Sequence, residues 1–158
     1  MSSLLPFAIS EINESGPESL YQIIQNELVT FSKEHPEVGE LFVATEDGFE
    51  VATNNTDKAL EYVHKLAAMT SSMIGLGEAM LNETGGGAQH ALTLEGENKN
   101  IIFNQIRTAH LTLCLTTIAS KDVPLGQLFW LQRQASGIIK KICSDALTLT
   151  ETYGDENG

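Results

Sequence analysis

The chain has 158 residues, carries 21 acidic against 9 basic side chains for a formal charge of −12, and is 42% hydrophobic. A chain this long buries roughly two-thirds of the surface its unfolded form exposes, which fits one domain and excludes disorder for most of it. So negative a surface repels phosphate backbones and anionic lipid heads, which argues against nucleic-acid binding and membrane attachment, and no stretch nears the roughly 20 apolar residues of a membrane helix.

Residues 1–17 end in Ser15-Gly16-Pro17 and read as a flexible N-terminal arm; the opening MSSLLPFAIS has no basic start and a short apolar run broken by Pro6, so it does not read as an export signal. With only two cysteines, too few for a disulfide-stapled secreted scaffold, the expected location is cytoplasmic. From residue 18 the spacing turns helical, with Leu20, Ile23, Ile24, Leu28 and Phe31 on one face, Ser19 or Pro17 at the start and Pro36 at the end. Leu41-Phe42-Val43-Ala44, then Glu46-Asp47-Gly48, then Phe49, Val51 and Thr53 in alternation predict a hairpin, because Asp-Gly favours the positive backbone angles of a tight turn. Asp57 to Asn82 is the longest helical segment, with Leu60, Val63, Leu66, Ala67, Met73, Ile74, Met80 and Leu81 apolar, and Gly85-Gly86-Gly87 stops it.

Three strands are predicted next, on His90, Leu92 and Leu94, on Ile101-Ile102-Phe103, and on Leu111, Leu113 and Leu115. The links between them are short, as in an antiparallel meander. A last helix is predicted from Ser120 to Leu147, opening near Pro124, with Leu125, Leu128, Phe129, Ala135, Ile138, Ile139 and Ile142 inward; residues 149–158 read as an acidic mobile tail. The order α-β-β-α-β-β-β-α, with runs of consecutive apolar residues in the strands at Leu41 and Ile101, predicts two antiparallel strand groups in an α+β three-layer sandwich, one domain over residues 18–148.

Charge is uneven. Residues 1–84 hold 14 acids against Lys33, Lys58 and Lys65, whereas residues 85–119 balance Glu95 and Glu97 with Lys99 and Arg107. A charge-poor block marks either a buried sheet or a contact surface.

The residues do not announce a reaction centre, cofactor site or metal site. Gly85-Gly86-Gly87 lacks the lysine and Ser/Thr of a phosphate loop and follows a helix, and Ser10, Ser71 and Ser144 have no nucleophile-elbow context. Glu61 and His64 share a helical face, but a di-iron bundle needs two such pairs and two further glutamates, so they read as solvated surface. His35, His90 and His110 lack zinc spacing, and Cys114 and Cys143 read as buried small hydrophobes. One feature stands out on the middle helix: Ala68, Ser72, Gly75 and Ala79 recur at three- and four-residue steps beside Ser71. Gly75 and Gly77 each cost about 1 kcal/mol relative to alanine in a helix. Close approach of another backbone offsets that, whether a second helix or the chain's own sheet.

Taken in order, the amphipathic first helix, the hairpin Phe42–Val51 around Asp47-Gly48, the long helix rich in small residues, the meander and the opening Pro124-Leu125-Gly126 resemble the Roadblock family, named for a dynein light chain, over roughly Leu20 to Leu147. The resemblance implies that the strands form one five-stranded antiparallel sheet, with the middle helix on one face and the terminal helices on the other. It also implies a homodimer through the middle helix and the edge strand after it, here Asp57–Asn82 and Ala88–Glu95. That points to Ala68, Ser71, Ser72, Gly75, Ala79, Ala88, His90, Leu92 and Leu94 as interface residues. An unpaired strand edge gives such pairing a physical motive.

The resemblance further implies a non-catalytic module, without cofactor, that binds a small Ras-like GTPase, some relatives stimulating GTP hydrolysis and others serving as scaffold subunits. An arginine finger would require Arg107 or Arg133, and neither is marked for the part. Two other functions fit the residues: a structural adaptor, and a small-molecule sensor with Thr112, Cys114 and Thr116 lining a strand face.

Overall fold

The computed structural model describes residues 19–57 and 60–157; the N-terminal arm lies outside them. Helix α1 (Leu20–Glu34) opens where Ser19 caps it, its hydroxyl accepting from the Gln22 N–H at 2.9 Å, and ends before a 3₁₀ turn at Pro36–Val38. Its buried face, Leu20, Ile24, Leu28 and Phe31, holds four of the five residues expected from the sequence, Ile23 being half-buried at its margin. Gly39 then swings the chain into the sheet with φ +71°, and a Cβ there would run into the Ile118 carbonyl oxygen, so only glycine serves.

Strands β1 (Glu40–Thr45) and β2 (Glu50–Thr53) form the hairpin. Its turn differs from the expected form: Gly48 alone has positive φ (+94°), and Asp47 does not. The Gly48 N–H donates to the Thr45 carbonyl at 3.0 Å, and Thr45 Oγ1 accepts from the Phe49 N–H at 3.0 Å. The register slips between Val43 and Ala44. Helix α2 (Leu60–Thr84) follows and ends at Gly85-Gly86, where the Gly86 N–H reaches the Leu81 carbonyl at 2.7 Å and the Gly85 N–H the Asn82 carbonyl at 3.4 Å. This pair of bonds is a Schellman motif.

Strands β3 (Leu92–Glu95), β4 (Lys99–Arg107) and β5 (Thr112–Ser120) complete the sheet, and α3 (Leu125–Asn157) closes the chain. Two boundaries move. The last strand runs to Ser120, so the helix starts at Leu125 instead of Ser120. Its backbone continues through residues 149–157, where the sequence suggested a tail.

The spatial order is β2-β1-β5-β4-β3, antiparallel throughout, with the last strand in sequence at the centre between β1 and β4. Alternate residues of β1, β4 and β5 point to opposite faces. Leu41, Val43, Ile106, Leu113 and Leu115 meet α1 and α3, including Leu131, Ala135 and Ile139. Phe42, Ala44, Phe103, Cys114 and Ile118 meet α2 through Ala67 and Ile74. The fold is therefore the expected three-layer α+β sandwich, with the long helix on one face and the terminal helices on the other.

The two sheet edges are finished differently. At β2, the Gln25 amide of α1 meets the main chain of Thr53: the Thr53 N–H donates to Gln25 Oε1 at 2.8 Å, and Gln25 Nε2 donates to the Thr53 carbonyl. A side-chain amide thus stands where a further strand would pair. At β3 the strand is four residues long and, among the described residues, has β4 as its one neighbour.

Candidate interaction surface

Helix α2 has two distinct faces. Val63, Ala67, Thr70 and Ile74 are buried against the sheet, with Thr70 Oγ1 3.4 Å from Thr116 Oγ1. Tyr62 pins the first turn, its hydroxyl 3.3 Å from the Glu40 carboxylate; its pKa is raised by burial and by that negative neighbour. On the opposite side Ala68, Ser72, Gly75 and Ala79 are exposed. Of the two packing partners left open by the small-residue ridge, the chain's own sheet leaves these four positions exposed, with the β1–β2 turn resting on Ala68. A Cβ added at Gly75 would meet nothing within 4 Å. Ser71, half-buried at the edge of the ridge, donates to the Glu46 carbonyl at 2.7 Å, and Gly48 lies against Ala68 and Ser71. The hairpin turn is thereby clamped to the helix.

Beside the ridge stand Met69, Leu76 and Met80, respectively 55%, 63% and 70% exposed. From Leu66 to Gly77 the helix has no charged residue, an unusual stretch for a solvated surface in so acidic a chain. Between α2 and the outer strands runs a groove of about 480 Å³, walled by Met69 and Met73 on the helix and floored by Ile101, Phe103 and Leu94. Leu92 packs beneath α2 in contact with the Ile74 and Phe103 cluster, while Leu94 is 38% exposed at the groove's open end.

The expected strand Ala88–Glu95 is corrected here. Ala88 and His90 precede β3, which starts at Leu92. Gln89 accounts for the difference: its Nε2 donates to the Ile74 carbonyl at 3.2 Å, and its amide fills the space a side chain at Gly77 would need. The chain between Gly87 and Ala91 is thus tied to α2, and His90 is carried to the far face of the sheet, where it lines a separate groove beside α3. The structure brings Ala68, Ser72, Gly75, Ala79, Leu92 and Leu94 onto one side of the molecule, and leaves Ala88 and His90 off the strand.

Other residues singled out in the sequence fall elsewhere. Glu61 and His64 are solvent-exposed, and among the described residues no three His, Cys, Asp or Glu side chains converge as metal ligands would. Cys114 lies under Ile74 and Phe103, where burial, with Glu46 and Glu78 nearby, pushes its thiol up to about 12; burial alone raises Cys143 to about 11. Both are protonated at neutral pH, unlike nucleophilic or metal-binding thiolates. The Thr112, Cys114 and Thr116 face is covered by α2 at its last two positions. Arg107 is held by Glu78 at 3.1 Å and by Gln105, and Arg133 lies on the α3 side.

Two features were missed in the sequence. The exposed Met69 and Leu76 could have been found from the charge-free run on α2, whereas Met80 lies beyond it, after Glu78. The Gln25 seal at β2 leaves no sequence signal, because it joins residues 28 positions apart.

A bare apolar helix face, an adjoining apolar groove and a sheet edge unpaired among the described residues thus lie together on this α+β domain. A family model for the Roadblock/LC7 domain matches residues 24–115, more than half of the chain, and the protein belongs to that family. Among solved structures it is similar to Myxococcus xanthus MglB, with 15% identity, 77% of this chain and 95% of that one covered, and a TM-score of 0.66. A Roadblock/LC7 domain from Streptomyces avermitilis gives 14% identity, 74% and 94% coverage, and a TM-score of 0.65. The gliding protein MglB from Thermus thermophilus gives 17%, 75% and 90%, and 0.62. At such identities the likeness is one of fold. No curated protein sequence matches the chain.

Proposed function

We propose that this protein is a cytoplasmic, dimeric, non-catalytic module that binds a small Ras-like GTPase and regulates its nucleotide state. The observation that carries the reading is the outward, charge-free face of α2 in a member of the Roadblock/LC7 family, whose members are typically regulators or adaptors without catalysis. The MglB-type structural neighbours favour a GTPase-regulating role. Two copies joined along Ala68, Ser72, Gly75 and Ala79 would bring their α2 backbones close, bury the methionines beside them, and continue the sheet from one β3 edge, at Leu92 and Leu94, to the other. Such a dimer offers a wide rigid platform to a third protein. No helix among the described residues is long and apolar enough to cross a membrane.

In this reading the protein orders the GTPase's own switch loops and contributes no acid, base or arginine finger. Arg107 is engaged with Glu78, which agrees with that. The test is single-turnover GTP hydrolysis by the Ras-like GTPase of the same genome, with and without this protein. A change in rate supports regulation; no binding and no change refute it. Pull-downs with GDP- and GTP-loaded GTPase separate this function from a scaffolding one, for which affinity would not depend on the nucleotide.

A further inference from the structure

The face of the sheet opposite α2 holds a second groove, of about 600 Å³, between α3 and the segment leading into β3. Its floor is a fixed polar network. Gln132, 5% exposed in the N-terminal third of α3, donates from Nε2 to Asn104 Oδ1 at 2.6 Å and to the Leu115 carbonyl at 3.0 Å, while its Oε1 accepts from the hydroxyl of Thr117. Asn104 Nδ2 in turn reaches Ser136 Oγ at 2.9 Å. A buried network completed in this way holds its side chains in place before any ligand arrives. Above the floor the groove presents the exposed Arg133 and His90, with the half-buried ring of Phe129 beside them. Among the described residues, neither Arg133 nor His90 makes a salt bridge, and no acidic side chain lines the groove. In a chain with a formal charge of −12, a concave site whose one charged side chain among the described residues is an arginine stands out.

We propose that this groove binds a carboxylate-bearing ligand with a short apolar part, the carboxylate on the Arg133 guanidinium and the apolar part against Phe129. The volume is that of a small-ligand site. One arginine, with no residue of the helix's first turn before Phe129 in the lining, suits a planar monoanion, which a guanidinium binds through two parallel bonds. A phosphate dianion would bring more charge than one arginine balances into the field of an acidic protein. The carboxylate can be that of a free organic acid or of a glutamate in a peptide. The site lies in one protomer, away from α2, and does not depend on the proposed GTPase role.

The test is titration of the ¹⁵N-labelled full chain, followed by amide shifts at Asn104, Gln132, Arg133 and Ser136. The probes are hexanoate, its uncharged counterpart hexanamide, and the peptide acetyl-Leu-Glu-Leu-amide. Saturable shifts at these residues with hexanoate or the peptide, at least tenfold weaker with hexanamide and in Arg133→Gln, are expected, and the tighter of the two acids identifies the source. Lys140→Gln removes the same charge from α3 outside the groove and should change affinity less than twofold. Absence of saturable shifts with both acids, equal binding of hexanamide, or equal weakening by both charge substitutions would overturn the proposal.

Discussion

Removing the Gln25 amide tests whether a side chain closes the β2 edge. Gln25→Ala deletes the bond from the Thr53 N–H, 2.8 Å long, and the bond to its carbonyl. Each neutral hydrogen bond contributes about 0.5–1.5 kcal/mol net, and the groups left behind are only partly wetted, so the expected loss is about 1–3 kcal/mol. With a urea slope of about 2 kcal/mol/M, a loss of about 1.5 kcal/mol lowers the unfolding midpoint by roughly 0.7 M. Trp130, the single tryptophan, reports the transition. Gln22→Ala is the control: among the described residues that exposed side chain bonds only Asn26, at 2.9 Å, and its main chain stays capped by Ser19, so the change should stay within about 0.5 kcal/mol. The uncovered edge should also make Gln25→Ala self-associate with concentration in sedimentation velocity. A midpoint equal to that of Gln22→Ala, with sedimentation unchanged, would refute the reasoning.

Gly75→Ala should leave the protomer intact and stabilise it by up to about 1 kcal/mol, since open space surrounds that position, whereas Gly75→Leu should shift light scattering from dimer to monomer if α2 forms the interface. Gly39→Ala combines a strained φ with a collision at the Ile118 carbonyl and should cost about 2–4 kcal/mol in urea unfolding. The two thiols should resist a disulfide reagent at pH 8 in the folded protein and react fully in denaturant. Because burial raises them from 9.0 to about 12 and about 11, the unfolded state loses their protons first, so stability should fall as pH rises through about 9 and upward; stability flat from pH 8 to 11 would contradict this.

The parts of this fold readable from sequence are those decided within a few residues. The stripe Leu20-Ile24-Leu28-Phe31, the turn at Asp47-Gly48 and the helix stop at Gly85-Gly86 each follow from local spacing and backbone chemistry. The start of β3 did not, because His90, Leu92 and Leu94 alternate like a strand while a distant bond from Gln89 to Ile74 holds the preceding chain on α2. The candidate surface was half legible: the small ridge on α2 showed its periodicity, but only the structure decided that it faces outward. The network of Thr117, Gln132 and Asn104 was invisible, since its members lie on three elements and each alone resembles an ordinary polar residue.

The position of β5 has a consequence for how the protein is made. Its central place between β1 and β4 means that neither half of the chain can close the sheet alone. As the polypeptide leaves the ribosome, Leu41, Val43 and Phe42 find no partner strand on their inner side until residues 112–120 have emerged. A product cut short before Thr112 would hold two disconnected hairpins with apolar edges, and should be insoluble or degraded even though most of the domain had been translated.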